Sequence, residues 1–239
     1  MSQKFKYPRT PHLPFSKGAT SDDKILASTE HFCGKRVVVT EKMDGENTTI
    51  YRDYCHARSL DSKHKPYHSW LLSYISTFQA QIPENWRICG EYLYATHSIE
   101  YTNLPTYLMA FSIWNDKNEC LSWSDTISFL DTIGVQSVPV LYEGVYNEEK
   151  IKQIAEKATQ GGAEGVVVRL CDSFPYNDFS VSIAKYVREN HNQTDKSWGS
   201  VIKKNKLREI KRGNPRLIFL KKFQKTLYFL KTCDKMYTC

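Results

Sequence analysis

Short apolar runs alternate with polar, turn-rich stretches along the chain, and their period switches between that of strands and that of helices. "KRVVVTE" (35–41) and "NTTIYR" (47–52) read as strands joined by a tight connection. In "YHSWLLSYISTFQAQ" (67–81), Trp70, Leu71, Tyr74, Ile75 and Phe78 fall on one helical stripe and predict a core-facing helix. "WRICGEYLY" (86–94) and "YLMAFSIWN" (107–115) read as strands, the second turning through "NDKN" into "CLSW". "SWSDTISFLDTIG" (122–134) predicts a helix with Ser124 as candidate N-cap and Gly134 as its stop. After extended "QSVPVLYEG", a helix over 147–162 opens on Asn147, carries acids in its first turn and closes on glycine. "AEGVVVRL" and "VSIAKYVR" are two further strands. The order is mixed, without regular βαβ alternation, so an α+β fold is expected.

The first thirty residues, with three prolines and four serines, predict an extended arm rather than a packed element. Beyond about residue 190 the composition shifts, and Phe219, Phe223, Leu227 and Leu230 are spaced like one helix face. Two regions are therefore expected: a main domain over 1–190 and a basic, largely helical appendage over 191–239.

Charge sharpens that division. The chain carries 33 basic and 26 acidic side chains, net +7. From Val201 to Cys239 there are twelve Lys/Arg against Glu209 and Asp234, a balance of +10, which leaves −3 on the rest. A near-neutral body with a basic, aromatic-containing tail points to a polyanionic partner, the competing reading being a solvated face. Seven cysteines without any CxxC pair argue against a disulfide framework and a zinc module. No apolar run suits secretion or approaches the ~20 residues of a membrane span. A soluble monomer in the cytoplasm is expected, with the nucleus as the alternative.

The chemistry concentrates at the end of the first strand, in "KMDGEN" (42–47). Lysine is a poor nucleophile at neutral pH because its pKa is about 10.4, and neutralising it near pH 7 costs about 4 to 5 kcal/mol. A reacting lysine therefore needs a cation, a metal or desolvation beside it, and a rigid seat. Gly45 permits the sharp turn and close approach such a seat requires. Downstream, "RICGEYLYA", "LMAFSIW", "AEGVVVRL" and "VSIAKYVR" each place one or two charges or an aromatic in an apolar strand. Isolated charges there are costly. Collinear with the lysine turn, they read as the lining of one pocket, although Glu91 and Glu164 could each serve a structural ion pair and Phe111 could be core.

In these segments the chain resembles the covalent nucleotidyltransferases, and within them the ATP-dependent RNA ligases of the nick-sealing branch. "KMDGEN" is similar to their K-x-x-G-x-N motif, and "YPRTPHLP", "HARSLD" and "KYVRENHNQTDKSW" resemble further segments of these enzymes. The likeness spans roughly residues 7 to 198. It implies an α+β nucleotidyltransferase (ATP-grasp-like ligase) adenylation domain of mostly antiparallel sheets with flanking helices. It implies that Lys42 attacks the α-phosphorus of ATP and holds AMP. Arg58 would contact the nucleotide and the 5′-phosphate of the RNA, Glu91 the ribose hydroxyls and Phe111 the adenine. Glu41 would belong to the nucleotide site. Glu164, with Asn47 beside it, would position Mg²⁺, or Mn²⁺ in its place, and both would lie against the nucleotide. Lys185 would hold the α-phosphate and favour the neutral form of Lys42.

Two positions depart from that pattern. Lys185 and Arg188 are three apart, which puts them on opposite faces of a regular strand, so either a bulge re-aims Arg188 or it serves the RNA. Arg169 has the same parity conflict with Glu164. The implied partner is RNA with 5′-phosphate and 3′-hydroxyl ends, a nicked duplex and an RNA–DNA hybrid among its candidate forms, and no membrane. The alternatives are a GTP-using capping guanylyltransferase and an inactive RNA-binding protein on a ligase scaffold.

Overall fold

Val37, Val38 and Val39 are all fully buried, so the strand that carries them must be covered on both faces. A computed structural model describes residues 3–189 and 202–209. Its strands are β1 (Arg36–Lys42), β2 (Glu46–Tyr51), β3 (Cys55–Ala57), β4 (Arg87–Tyr92), β5 (Leu108–Trp114), β6 (Glu119–Cys120), β7 (Val140–Val145), β8 (Gly165–Leu170), β9 (Phe174–Pro175) and β10 (Ile183–Val187). The α-helices are α1 (Ser69–Ile75), α2 (Trp123–Ile133), α3 (Glu148–Gln160) and the single turn α4 (Phe179–Ser182).

These strands form two sheets, ordered β10-β8-β1-β7 and β3-β2-β4-β5-β6-β9, with every pairing between them antiparallel. Val37 and Val39 pack with Val166, Val168 and Ala184 under Ile151 and Ala155 of α3. Val38, on the other face, joins Ile50, Ile88, Leu108 and Ile113 of the second sheet. β1 thus lies between a helix and a second sheet, and its end crosses from one sheet to the other. This is the α+β architecture of antiparallel sheets with flanking helices expected from the sequence. Among the described residues no helix is long and apolar enough to cross a membrane, and Cys33, Cys55, Cys89, Cys120 and Cys171 are free thiols.

Local signals placed most helix ends. Asn147 caps α3 by accepting the Lys150 N–H at 2.9 Å, with Glu148 and Glu149 in the first turn. Gly134 closes α2 in the left-handed region, at φ 71°. The N-cap of α2 is Ser122 rather than Ser124: its Oγ accepts the Asp125 N–H at 3.1 Å, so Trp123 is already helical.

The helix expected over 67–81 is broken. A 3-10 turn (Pro66–His68), α1 and a second 3-10 turn (Gln79–Gln81) share the stretch. Leu71, Ile75 and Phe78 are buried as the stripe requires. However, Ser76 Oγ and Thr77 Oγ1 bond back to the carbonyls of Ser73 and Tyr74 and compete with the helical ladder.

The N-terminal arm is neither simply extended nor unpacked: it turns back on itself, the His12 N–H donating to the Lys24 carbonyl at 2.7 Å and the Leu26 N–H to the His12 carbonyl at 2.9 Å, and it is buried against the body. Leu13 is 0% and His12 1% exposed. The Leu13 N–H donates to the Lys185 carbonyl at 2.8 Å and the Lys185 N–H to Pro11 at 2.9 Å, so the arm pairs with the edge of β10 that β8 leaves open.

Burial of His12, and then the like charge of Lys185, push its pKa from 6.5 down to about 4, with Asp23 opposing. Between those values the unfolded chain binds the extra proton, so stability present above pH 6.5 is lost as pH falls toward 4. The linkage amounts to about 3 kcal/mol across the window. Thermal melts should therefore fall in Tm from neutral pH to about pH 5, and His12→Gln should flatten that slope.

Residues 202–209 are extended and hydrogen-bonded into the body: Asn205 N–H to Tyr94, Lys206 N–H to Tyr101 and Arg208 N–H to Leu104, at 2.8–2.9 Å. The stretch with Phe219, Phe223, Leu227 and Leu230, expected as a helix face, lies outside the described residues.

Candidate active site

Lys42 is the last residue of β1, and Met43, Asp44 and Gly45 carry the chain into β2. Cross-strand register shows where its amine lies. Lys42 pairs with Gly165, and both Thr40 and Lys185 pair with Val167. Directly opposed residues share a face and alternate residues return to it, so Lys42 and Lys185 lie on one face, away from α3 and toward the second sheet. Gly165 has no substitute at this crossing, because a Cβ there would run into the Tyr186 carbonyl of β10.

The Lys42 ammonium meets the Glu164 carboxylate at 2.5 Å, the lysine side chain 24% and the glutamate 4% exposed. Glu164 stands just before β8, so strand alternation does not bind it. That also removes the parity conflict with Arg169. Arg169 belongs to β8 and is used elsewhere: its guanidinium spans to the Phe111 carbonyl and lies 3.3 Å from Cys120 Sγ, linking the two sheets. Arg188 likewise lies beyond the end of β10. Its N–H donates to the Glu164 carbonyl at 3.1 Å, and its Nε is buried without a partner.

On the second sheet Asn47 and Glu91 oppose one another across β2 and β4. Gly45 packs so tightly that an added Cβ would sit 2.5 Å from the Tyr92 carbonyl oxygen, and its N–H reaches Glu91 Oε1 at 3.2 Å. Burial, opposed by Lys42 and assisted by Glu164, raises the Glu91 carboxyl to about 8. Lys185 is displaced the other way: desolvation first and the like charge of Lys42 next lower its pKa, while Asp23, with Oδ1 3.8 Å from Nζ, resists. Lys42, Glu164, Glu91 and Lys185 therefore act on one another in one cleft.

The other candidates lie around it. Arg58 is exposed just past β3; desolvation and the like charge of Arg9 lower its pKa, and Glu91 pulls the opposite way. Phe111 is the extra residue of a β-bulge, since Cys89 pairs with Ser112 while Gly90 pairs with Ala110. Its half-buried ring stands 5.2 Å edge-on to Tyr7. Glu41 falls on the opposite face of β1 from Lys42, and desolvation raises its carboxyl pKa. Its side chain is not brought to the Lys42–Glu164 pair.

Asp44 joins the site as a residue that motif spacing alone does not single out. Its Oδ2 accepts the Ser98 N–H, the Ser98 hydroxyl and the Ile99 N–H, each at 2.8 Å, and its own N–H donates to the Tyr101 hydroxyl at 2.9 Å. It pins the lysine turn to a distant loop. The acid within K-x-D-G was the available signal, but nothing local marks its partners.

A hard divalent cation suits this donor set. Asn47 Oδ1 is a buried acceptor with no partner, and the Glu164 carboxylate lies in the same cleft. Among the described residues no three His, Cys, Asp or Glu cluster as a metal cage. Few protein ligands, with water and phosphate completing the shell, is the pattern of Mg²⁺-type sites.

Two antiparallel sheets thus meet at a lysine that faces carboxylates and a second lysine. The RNA ligase family model matches residues 35–187, well over half of the chain, and the chain belongs to that family. Solved structures share the fold. An archaeal ATP-dependent RNA ligase is 19% identical at a TM-score of 0.54, covering 76% of this chain and 48% of its own. A putative ATP-dependent DNA ligase from Aquifex aeolicus is 21% identical at 0.53, covering 77% and 50%. A mutant Naegleria gruberi RNA ligase with ATP and Mn is 20% identical at 0.50, covering 66% and 51%. This chain spans about half the length of these structures. No curated protein matches it.

Proposed function

We propose that this chain joins RNA 3′-hydroxyl and 5′-phosphate ends at the expense of ATP, through an AMP carried on Lys42. The observation that carries the reading is the Lys42 amine held 2.5 Å from Glu164, with Lys185 on the same face of the cleft. Glu164 orients the ammonium and offers its proton a destination as the amine attacks the α-phosphorus. The Nζ–P bond forms as the P–O bond to pyrophosphate breaks. Lys185, half-buried and pressed toward the neutral form, gains most by meeting a phosphate anion and holds the α-phosphate there.

A divalent cation held between Glu164 and Asn47 Oδ1, Mg²⁺ or Mn²⁺, would supply neutralisation of phosphate charge. Glu91 and Phe111 would bind ribose and adenine. Arg58, with Arg188 as a second contact, would receive the RNA 5′-phosphate, whose oxygen displaces Lys42 from phosphorus. Attack by the 3′-hydroxyl then releases AMP and seals the strand. All three steps are phosphoryl transfers, so positioning and positive charge carry most of the catalysis.

Incubation with α-labelled ATP and, separately, α-labelled GTP tests the class. Label from ATP, followed by sealing of a 5′-phosphorylated RNA, is the expected result. Label from GTP alone indicates a guanylyltransferase, and RNA binding with no label an inactive scaffold.

A further inference from the structure

Asn205 is an asparagine with 1% exposure in a segment beyond the region that the family model matches. Its side chain is fully used. Oδ1 accepts the Thr96 hydroxyl and the Tyr101 N–H, both at 2.9 Å, and Nδ2 donates to the carbonyls of Leu93 at 2.9 Å and Ala95 at 3.3 Å. Its carbonyl accepts the Tyr107 hydroxyl at 2.9 Å. Tyr101 is gripped a second time, because its carbonyl accepts the Lys206 N–H at 2.8 Å. A buried amide with every donor and acceptor satisfied holds its surroundings to one geometry.

That geometry leads to the nucleophile. The hydroxyl of the same Tyr101 accepts the Asp44 N–H, and Asp44 Oδ2 in turn holds Ser98 and Ile99 of the same loop. Asp44 lies two residues after Lys42, inside the turn that ends β1. An unbroken series of hydrogen bonds thus joins residues 202–209 to the lysine turn, across a sequence separation of 104 between Tyr101 and Asn205.

We infer that Asn205 is a positioning residue for Lys42: by fixing Tyr101, and through it Asp44, it aims the lysine amine for nucleotidyl transfer. This rests on the ligase reading and adds to it a part of the chain outside the matched family region. The step affected is the one in which the Lys42 amine attacks phosphorus. Sealing of an RNA end that is already adenylylated does not use that amine as nucleophile and serves as the internal contrast.

The test compares wild type, Asn205→Ala and Tyr101→Phe, the last removing only the hydroxyl that receives the Asp44 N–H. Single-turnover lysyl-AMP formation is measured with ATP and Mg²⁺, sealing is measured with pre-adenylylated RNA, and each variant is melted. A displacement of about 1 Å costs up to about 100-fold in rate, so Asn205→Ala should slow adenylylation by roughly that factor. The ATP half-saturation and the sealing of pre-adenylylated RNA should change less than about threefold. Tyr101→Phe should show the same selectivity with a smaller effect and a Tm close to wild type, and it decides the matter alone if Asn205→Ala does not fold. Equal loss in both reactions, or no loss in adenylylation, overturns the inference while the ligase reading stands. Absence of any adduct on wild type defeats both.

Discussion

Lys42→Arg should leave a folded protein that no longer takes up AMP, a loss of at least about 10⁴-fold in adduct formation. Arginine is the stringent substitution because it keeps the charge and much of the reach. Glu164 would still face a cation, so the ion pair that organises the cleft survives in altered form. What disappears is the lone pair: guanidinium stays protonated at any pH the protein tolerates, whereas a lysine amine can be deprotonated in place. A purely structural Lys42 would tolerate the change with modest loss. The readout is labelled AMP retained on denatured protein, with melting curves as the control for folding.

Glu164→Gln should slow the same step by about 10²- to 10⁴-fold, the range for loss of a positioned proton acceptor. Shape and hydrogen-bonding capacity are nearly kept, while the charge that faces Lys42 at 2.5 Å is removed. Three consequences coincide: the ammonium loses its counterion, its proton loses a destination, and the candidate cation site loses its carboxylate. The cost in stability should be smaller, about 1 to 2 kcal/mol, since the Lys42 side chain keeps 24% exposure and remains partly hydrated. If Glu164 were only a structural partner, stability and rate would fall together. Here the rate should fall far more. Single-turnover kinetics set beside urea melts separate the two.

The parts of the fold visible in the sequence are those whose causes are local. The apolar runs of β1, β4, β5, β8 and β10, the Asn147 cap and the Gly134 stop each depend on residues within a few positions. Strand parity holds within the strands, and its two apparent conflicts fall where the strands have ended: Glu164 precedes β8 and Arg188 follows β10. The bulge at Phe111 is a different matter, since it exists only in the pairing of β5 with β4. Features made by distant partners left no mark. The arm's docking on β10 answers the need of an open strand edge, which the sequence of the arm does not display. Asp44 was visible as a letter in the motif, but its grip on Ser98, Ile99 and Tyr101, and that of Asn205 behind it, is made across the fold. The lysine turn was legible in the sequence; the structure that steadies it was not.

Peptide mapping by mass spectrometry, after incubation with ATP and Mg²⁺ under conditions that preserve an acid-labile phosphoramide, tests the central claim most directly. The account predicts a single AMP on the peptide containing Lys42, borne by its Nζ and chased off by pyrophosphate or by a 5′-phosphorylated RNA. An unmodified protein, or AMP on any other residue, would contradict it.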